Sequence, residues 1–183
     1  DSADKYYPEV EDEKFRIYYT SLEMMTLQVL KLYKHLEKIG LLENTFFLFT
    51  SDNGTAWTQI PEKAPQEGVN VLRGGKTQVW EGGIRVPGML VWPERIPKKI
   101  ETDFPVVTSD IYPTIKAILQ SDVPEQKPVD GINLLPVIDA LVKGQNDLRR
   151  NKPIGFLVQD GQAWIDNDMK LVRTASTRSE EQP

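Results

Sequence analysis

Thr45-Phe-Phe-Leu-Phe-Thr-Ser-Asp-Asn-Gly54 begins as a compact apolar and β-branched run and closes in a polar turn. The apolar part, Thr45 to Thr50, does not alternate, and a strand covered on both faces reads that way. Just upstream, Ile17, Leu22, Met25, Val29, Leu32, Leu36 and Ile39 recur mostly at three- and four-residue spacing, which lines them along one face of a long helix from about Phe15. Gly40 supplies the stop, Lys31, Lys34 and Lys38 suit the negative end of the helix dipole, and Leu41 to Asn44 is a short connection. A helix leading directly into a two-sided strand is the unit of an α/β sheet, where ligands collect at the carboxyl ends of strands. Ser51-Asp-Asn-Gly54 lies at that end.

Working outward, the first fourteen residues are acidic, contain Pro8 and read as an extended lead-in. Thr55 to Leu72 holds Pro61 and Pro65 without a clear period, a long loop of the kind that is usually functional or mobile. Met89 to Trp92 reads as a second buried strand with Pro87 and Pro93 confined to its ends. Ser109 is placed to cap a helix running to Leu119, Pro124 to Gly131 is a linker, and Leu134 to Val142 is a short helix. Ile154 to Val158, Ala163 to Ile165 and Met169 to Arg173 are strand candidates separated by Asp160-Gly161 and Asp166-Asn-Asp168, the signature of an antiparallel meander. The expected organisation is residues 1–150 as an α/β domain part and 151–183 as the start of a small antiparallel subdomain, with a frayed tail from Thr174.

Composition limits the function. With 183 residues the chain can hold one sizeable core, or one domain and part of another. A net charge of −5 argues against a broad nucleic-acid or anionic-membrane surface. No apolar run approaches a membrane span, and Asp1-Ser-Ala-Asp-Lys5 lacks the apolar centre of a signal peptide. Zero cysteines exclude a disulfide framework, a thiolate metal site and a cysteine nucleophile.

The chemistry gathers around the strand end. Asp52-Asn-Gly54 makes an ordinary turn, yet a carboxylate beside an amide oxygen also offers two hard ligands to a cation such as Ca²⁺, which takes about 6–8. Asn53-Gly-Thr55 matches a glycosylation sequon, which a metal-facing asparagine would not serve. Gly74-Gly-Lys76 fails as a P-loop because Asn70 stands where the first glycine is needed; it still brings backbone close and supplies a compact positive charge for an oxyanion. Glu81-Gly-Gly-Ile-Arg85 reads as an ion pair bracing a tight turn. His35, the only histidine, sits mid-helix without an acid or base partner by sequence, and Trp57, Trp80, Trp92 and Trp164 read as core or loop anchors. Asp103, Asp110 and Asp130 read as cap and turn residues.

Seven blocks, in order, resemble the carboxyl-terminal half of arylsulfatase-type sulfatases over about residues 15–173. They are Tyr18-Tyr-Thr-Ser-Leu-Glu23, Phe49-Thr-Ser-Asp-Asn-Gly54, Leu72-Arg-Gly-Gly-Lys76, Glu81-Gly-Gly-Ile-Arg-Val-Pro87 with Val91-Trp-Pro93, Thr108-Ser-Asp-Ile-Tyr-Pro-Thr114, Asp130-Gly-Ile-Asn-Leu-Leu-Pro136 and Asp168-Met-Lys-Leu-Val172. The resemblance implies an alkaline-phosphatase-like α/β fold, a mixed sheet flanked by helices, with a small C-terminal antiparallel subdomain. It implies a calcium ion held by Asp52 and Asn53 together with aspartates from another part of the protein, and a sulfate contact at Lys76. The implied reaction is hydrolysis of a sulfate ester, with attack by a hydrated formylglycine.

Formylglycine arises from Cys or Ser in a Cys/Ser-x-Pro/Ala-x-Arg motif, and none of Ser2, Ser21, Ser51, Ser109, Ser121, Ser176 or Ser179 stands in one. The family's active-site histidines have no counterpart either. The expectation is therefore a sulfatase fragment, inactive alone, whose partner is a missing N-terminal half that carries the nucleophile, acting on a sulfate ester such as a sulfated glycan. The family implies an extracytoplasmic setting, whether secreted, periplasmic or lysosomal. Two other readings stay open: a phosphodiesterase or phosphonate hydrolase of the same superfamily, and a non-catalytic module binding sulfated glycans or a protein.

Overall fold

A computed structural model describes residues 7–56, 72–125, 127–159 and 161–174. The chain divides into two compact units, Asp1–Pro93 and Glu94–Pro183.

In the first unit, helix α1 spans Glu13–Lys38. Its start lies inside the predicted lead-in because Asp12 is an N-cap, its carboxylate accepting from Lys14 N at 2.9 Å and Phe15 N at 3.3 Å. Its end follows the glycine rule. Gly40 has φ +72°, its N–H reaches Glu37 O, and Leu41 N–H reaches Leu36 O, each at 3.0 Å, so two carbonyls that the helix would leave open are satisfied.

The side the helix presents inward differs from the predicted row. Phe15 and Thr20 are buried, and Phe15 stacks on Tyr19 at 5.9 Å. Of the predicted apolar face only Val29 and Leu36 are half-buried, while Ile17, Leu22, Met25, Leu32 and Ile39 are exposed. The contact line runs instead through aromatic residues, with Tyr33 set edge-on to Phe47 at 6.1 Å.

Strand β1, Phe47–Thr50, pairs antiparallel with β2, Gly88–Val91, in the register Phe47 to Val91 and Thr50 to Gly88. Among the described residues β1 has no other strand neighbour, so Leu48 is exposed and the expected cover on both faces is absent. Beyond β2, Trp92 is buried and meets Phe46 edge-to-face at 5.7 Å. A one-turn helix α2, Glu81–Ile84, precedes β2.

The second unit begins with a 3₁₀ turn, Thr108–Asp110, that runs into α3, Ile111–Ile118. Ser109 was the expected cap. Asp110 holds the N-cap position instead, yet its side chain makes no cap bond to α3; its carboxylate accepts from Val107 N at 2.9 Å, ahead of the turn, and, across the fold, from Ile132 N at 2.8 Å. The same carboxylate receives both terminal nitrogens of Arg150, at 2.8 and 2.7 Å. Arg150 also donates to Pro105 O and Lys152 O. Asp110 thus ties the turn before α3, the loop at Ile132 and the approach to the C-terminal sheet to one buried point.

Helix α4, Leu135–Val142, carries Pro136 in its first turn, where the missing N–H costs nothing. Arg95 grips Asp139 of α4 with two nitrogens, at 2.9 and 2.7 Å. The sheet β3 Ile154–Val158, β4 Gly161–Asp166 and β5 Met169–Arg173 is an antiparallel meander in the order β3-β4-β5. Its period-2 pattern buries Ile154 and Ala163 on one face and exposes Leu157, Trp164, Met169 and Leu171 on the other. Asn167 makes the β4–β5 turn at φ +51°, and its amide exchanges two hydrogen bonds with the backbone of Arg150. Asp160 of the predicted β3–β4 turn lies outside the described residues.

Candidate functional site

The turn after β1, the Arg73–Lys76 loop and α2 are distant in sequence but laced together through their main chains. Gly54 N–H donates to Gly83 O at 2.9 Å, Gly82 N–H to Arg73 O at 2.7 Å, and Lys76 N–H to Thr55 O at 3.0 Å. The approach is closer than any side chain permits. A Cβ on Gly54 would lie 1.8 Å from Gly82 O, one on Gly82 2.0 Å from Gly74 O, and one on Gly83 2.1 Å from Gln78 O. Gly74 adds a left-handed turn at φ +84°. Three sequence motifs therefore form one local structure.

The side chains on this platform face outward with little to hold them. Asp52 is exposed, and its carboxylate has no hydrogen bond or ion pair among the described residues. The Asn53 amide nitrogen donates to Gly54 O at 2.9 Å, which leaves its Oδ1 as the open end. Ser51 Oγ donates to Asn53 O at 2.8 Å and stiffens the turn. Lys76 is exposed, with no carboxylate on its ammonium among the described residues. Glu81 and Arg85 do pair, at 3.9 Å and largely in solvent, so the contact braces α2 weakly.

Asp52 and Asn53 suit a hard cation, because both offer unengaged oxygens at a strand end. They are a partial set: among the described residues no three His, Cys, Asp or Glu side chains cluster to hold a metal ion. A hollow of about 280 Å³ in the second unit is lined by Glu101, Asp103, Asp147, Arg149 and Asp168, and it contains none of the expected site residues.

Two features of the site were not legible as motifs. Tyr18 of α1 meets Thr55 through their hydroxyls at 3.5 Å, joining the first resembling block to the site loop. The Arg73 guanidinium lies 3.6 Å from the centre of the Trp80 ring. His35 is exposed in the last turn of α1, while Trp57 and most of the Thr55–Leu72 loop, residues 57–71, lie outside the described residues.

Similarity to known proteins bears on the family and the fold. The Sulfatase family profile matches residues 1–121. Human steryl-sulfatase is 34% identical over 125 residues, which is 67% of this chain and 21% of that protein. Human arylsulfatase G is 36% identical over 104 residues, 52% of this chain and 20% of that protein. The chain thus spans about a fifth of the length of the curated relatives it matches. Among solved structures, Ps i-CgsB in complex with k-i-k-neocarrahexaose aligns with a TM-score of 0.70 and 25% identity, over 99% of this chain and 41% of that one. The PsFucS1 sulfatase from Pseudoalteromonas sp. aligns with a TM-score of 0.57 and 23% identity, over 92% of this chain and 37% of that one, and so supports the fold.

The fold is of the alkaline-phosphatase-like mixed α/β class. Within that class, the chain belongs to the sulfatase family.

Proposed function

We propose that this chain is part of a sulfatase that hydrolyses sulfate esters, supplying half of a calcium site through Asp52 and Asn53 and a sulfate contact through Lys76. The observation that carries the reading is the interlock of Gly54, Gly74, Gly82 and Gly83, which sets the unengaged Asp52 carboxylate, the open Asn53 Oδ1 and, among the described residues, an unpaired Lys76 ammonium on one platform. Calcium, when bound, supplies positive charge for the sulfuryl oxygens.

The chain's own residues do the rest of what can be derived. Lys76 binds a sulfate oxygen by a charge-assisted hydrogen bond and orients the group, and its charge opposes the negative charge that grows as the ester bond breaks. Asn53, its amide fixed by Gly54 O, holds an oxygen steady beside Asp52. The nucleophile, with its formylglycine motif, belongs to a part of the sulfatase polypeptide outside this sequence, and the chain alone is inactive. Residues 1–150 then belong to the catalytic α/β domain and 151–183 to the small C-terminal subdomain.

Among the described residues no helix is long and apolar enough to cross a membrane. The proposed setting is outside the cytoplasm, which the family's habit supports, and the proposed substrate class is a sulfate ester such as a sulfated glycan. The test combines the chain with the remainder of the polypeptide and follows hydrolysis of an aryl sulfate beside a matched phosphate ester. Sulfate hydrolysis that collapses in Asp52→Ala and Lys76→Ala supports the reading. Full activity in both variants, or faster turnover of the phosphate ester, overturns it.

A further inference from the structure

The sulfate site as proposed leaves Arg73 without a task. Four other arginines are engaged with carboxylates: Arg85 with Glu81, Arg95 with Asp139, Arg149 with Asp168 and Arg150 with Asp110. Arg73 is exposed, and among the described residues no carboxylate or carbonyl takes its N–H groups. It is nevertheless held in place. Its guanidinium rests on the Trp80 ring at 3.6 Å, and its carbonyl is fixed by Gly82 N at 2.7 Å.

Stacking on an indole occupies the face of a guanidinium. The five N–H donors lie in the plane and stay available at its rim, already oriented and with little rotamer freedom left to lose. An arginine that only propped the loop would need no such open edge. Between Arg73 and Lys76 stand only Gly74 and Gly75, both buried, so no side chain separates the two cations along the loop.

Charge decides what this edge is for. A sulfate monoester carries one negative charge, which Lys76 and the proposed calcium already meet. A second cation on the same loop, unpaired among the described residues, has its charge left for another anion. We infer that Arg73, held flat on Trp80, is a specificity contact that favours sulfate esters bearing a second negative group, sulfate or carboxylate, on the alcohol portion. The inference rests on the sulfate-ester reading and adds a substrate class to it. Arg73 binds and positions; it takes no part in bond breaking.

The experiment measures kcat/KM of the chain combined with the rest of the sulfatase polypeptide. Two esters are compared, an aryl monosulfate and a sulfate ester carrying a second sulfate or a carboxylate. The unmodified protein prefers the doubly charged ester, and Arg73→Ala lowers that preference about tenfold, mostly through KM. Arg73→Lys, which keeps the charge and loses the planar fork, restores part of it. A preference unchanged in Arg73→Ala overturns the inference alone, as does an equal loss on both esters, the mark of a prop for the loop. Hydrolysis of neither ester by the unmodified protein overturns the sulfatase reading together with it.

Discussion

Arg150 and Asp110, forty residues apart, form a two-pronged ion pair whose side chains are 1% and 0% exposed. Burying two charges is costly, and this pair offsets the cost with hydrogen bonds: Asp110 receives four N–H donors, and Arg150 places four of its five N–H groups, two on Asp110 and two on carbonyls. Removing one partner leaves the other charged and dry. Arg150→Ala should lose about 3–5 kcal/mol, read as a lower urea midpoint for the second unit. A loss under about 1 kcal/mol in Arg150→Ala would count against the hub.

Gly82→Ala asks for a Cβ 2.0 Å from Gly74 O and 2.9 Å from Arg73 O, both main-chain atoms with no rotamer to change. The loop must open or the helix turn must shift. A loss of about 3 kcal/mol or more is expected, which for a chain of this size lowers Tm by roughly 6–12 °C. Gly88→Ala is the control, because nothing lies within 4 Å of its added carbon.

Asp52 and Lys76 should behave in the opposite way. Both are exposed and unpaired among the described residues, so Asp52→Ala and Lys76→Ala should each change stability by less than about 0.5 kcal/mol. In the combined enzyme Lys76→Ala should lower kcat on a sulfate ester by about 10²–10³, the scale of losing one preorganised charge contact. Asp52→Ala should weaken calcium binding in calorimetry. Unfolding of either variant at a markedly lower temperature would show a structural role instead.

Lys116 and Glu125 give a pH-dependent tether between α3 and the loop that follows it. Lys116 Nζ donates to Glu125 Oε1 and to Val123 O, each at 2.6 Å. The hydrogen bond from Lys116, helped by one from Tyr112, holds the Glu125 carboxyl below the ordinary glutamate range against the opposing effect of burial. The same hydrogen bond holds Lys116 above the ordinary lysine range.

A carboxylate with a lowered folded pKa stabilises above its unfolded value and loses that contribution as pH falls through the folded one. A raised lysine stabilises below its unfolded value and loses the contribution as pH rises through the folded one. The tether is therefore firm between the glutamate and lysine ranges and loosens on either side. Amide exchange at Val123, corrected for intrinsic rates, should speed up on acidification, and Glu125→Gln should flatten that acid limb. An unchanged acid limb in the variant would assign the loosening to other groups.

The legible parts of this fold are those whose cause is local. Gly40 ends α1, Pro87 and Pro93 flank β2, and Asn167 turns the meander, each because its own backbone preference allows little else. The close backbone of the candidate site was legible for a related reason, since the paired glycines beside Lys76 advertise close approach. What escaped was non-local. Ser109 looked the better cap until Arg150 and Ile132 converged on Asp110, and no spacing rule reaches that far. The inward side of α1 was misread because period alone cannot say which neighbours a helix meets: Ile17 and Leu32 fit the apolar row and stay exposed, while aromatic contacts through Phe15 and Tyr33 fix its placement.

The glycine interlock also sets how the site can fail. Side-chain packing yields by degrees, since a rotamer can turn or a methyl group can shift to absorb a small error. Main chain against main chain has no such slack, with a carbonyl oxygen already where the first added carbon would go. The geometry holding Asp52, Asn53 and Lys76 should thus be insensitive to repacking elsewhere in the unit. It should be lost in one step when a single glycine among these segments is replaced, giving a tolerance map that is flat nearly everywhere and vertical at a few positions.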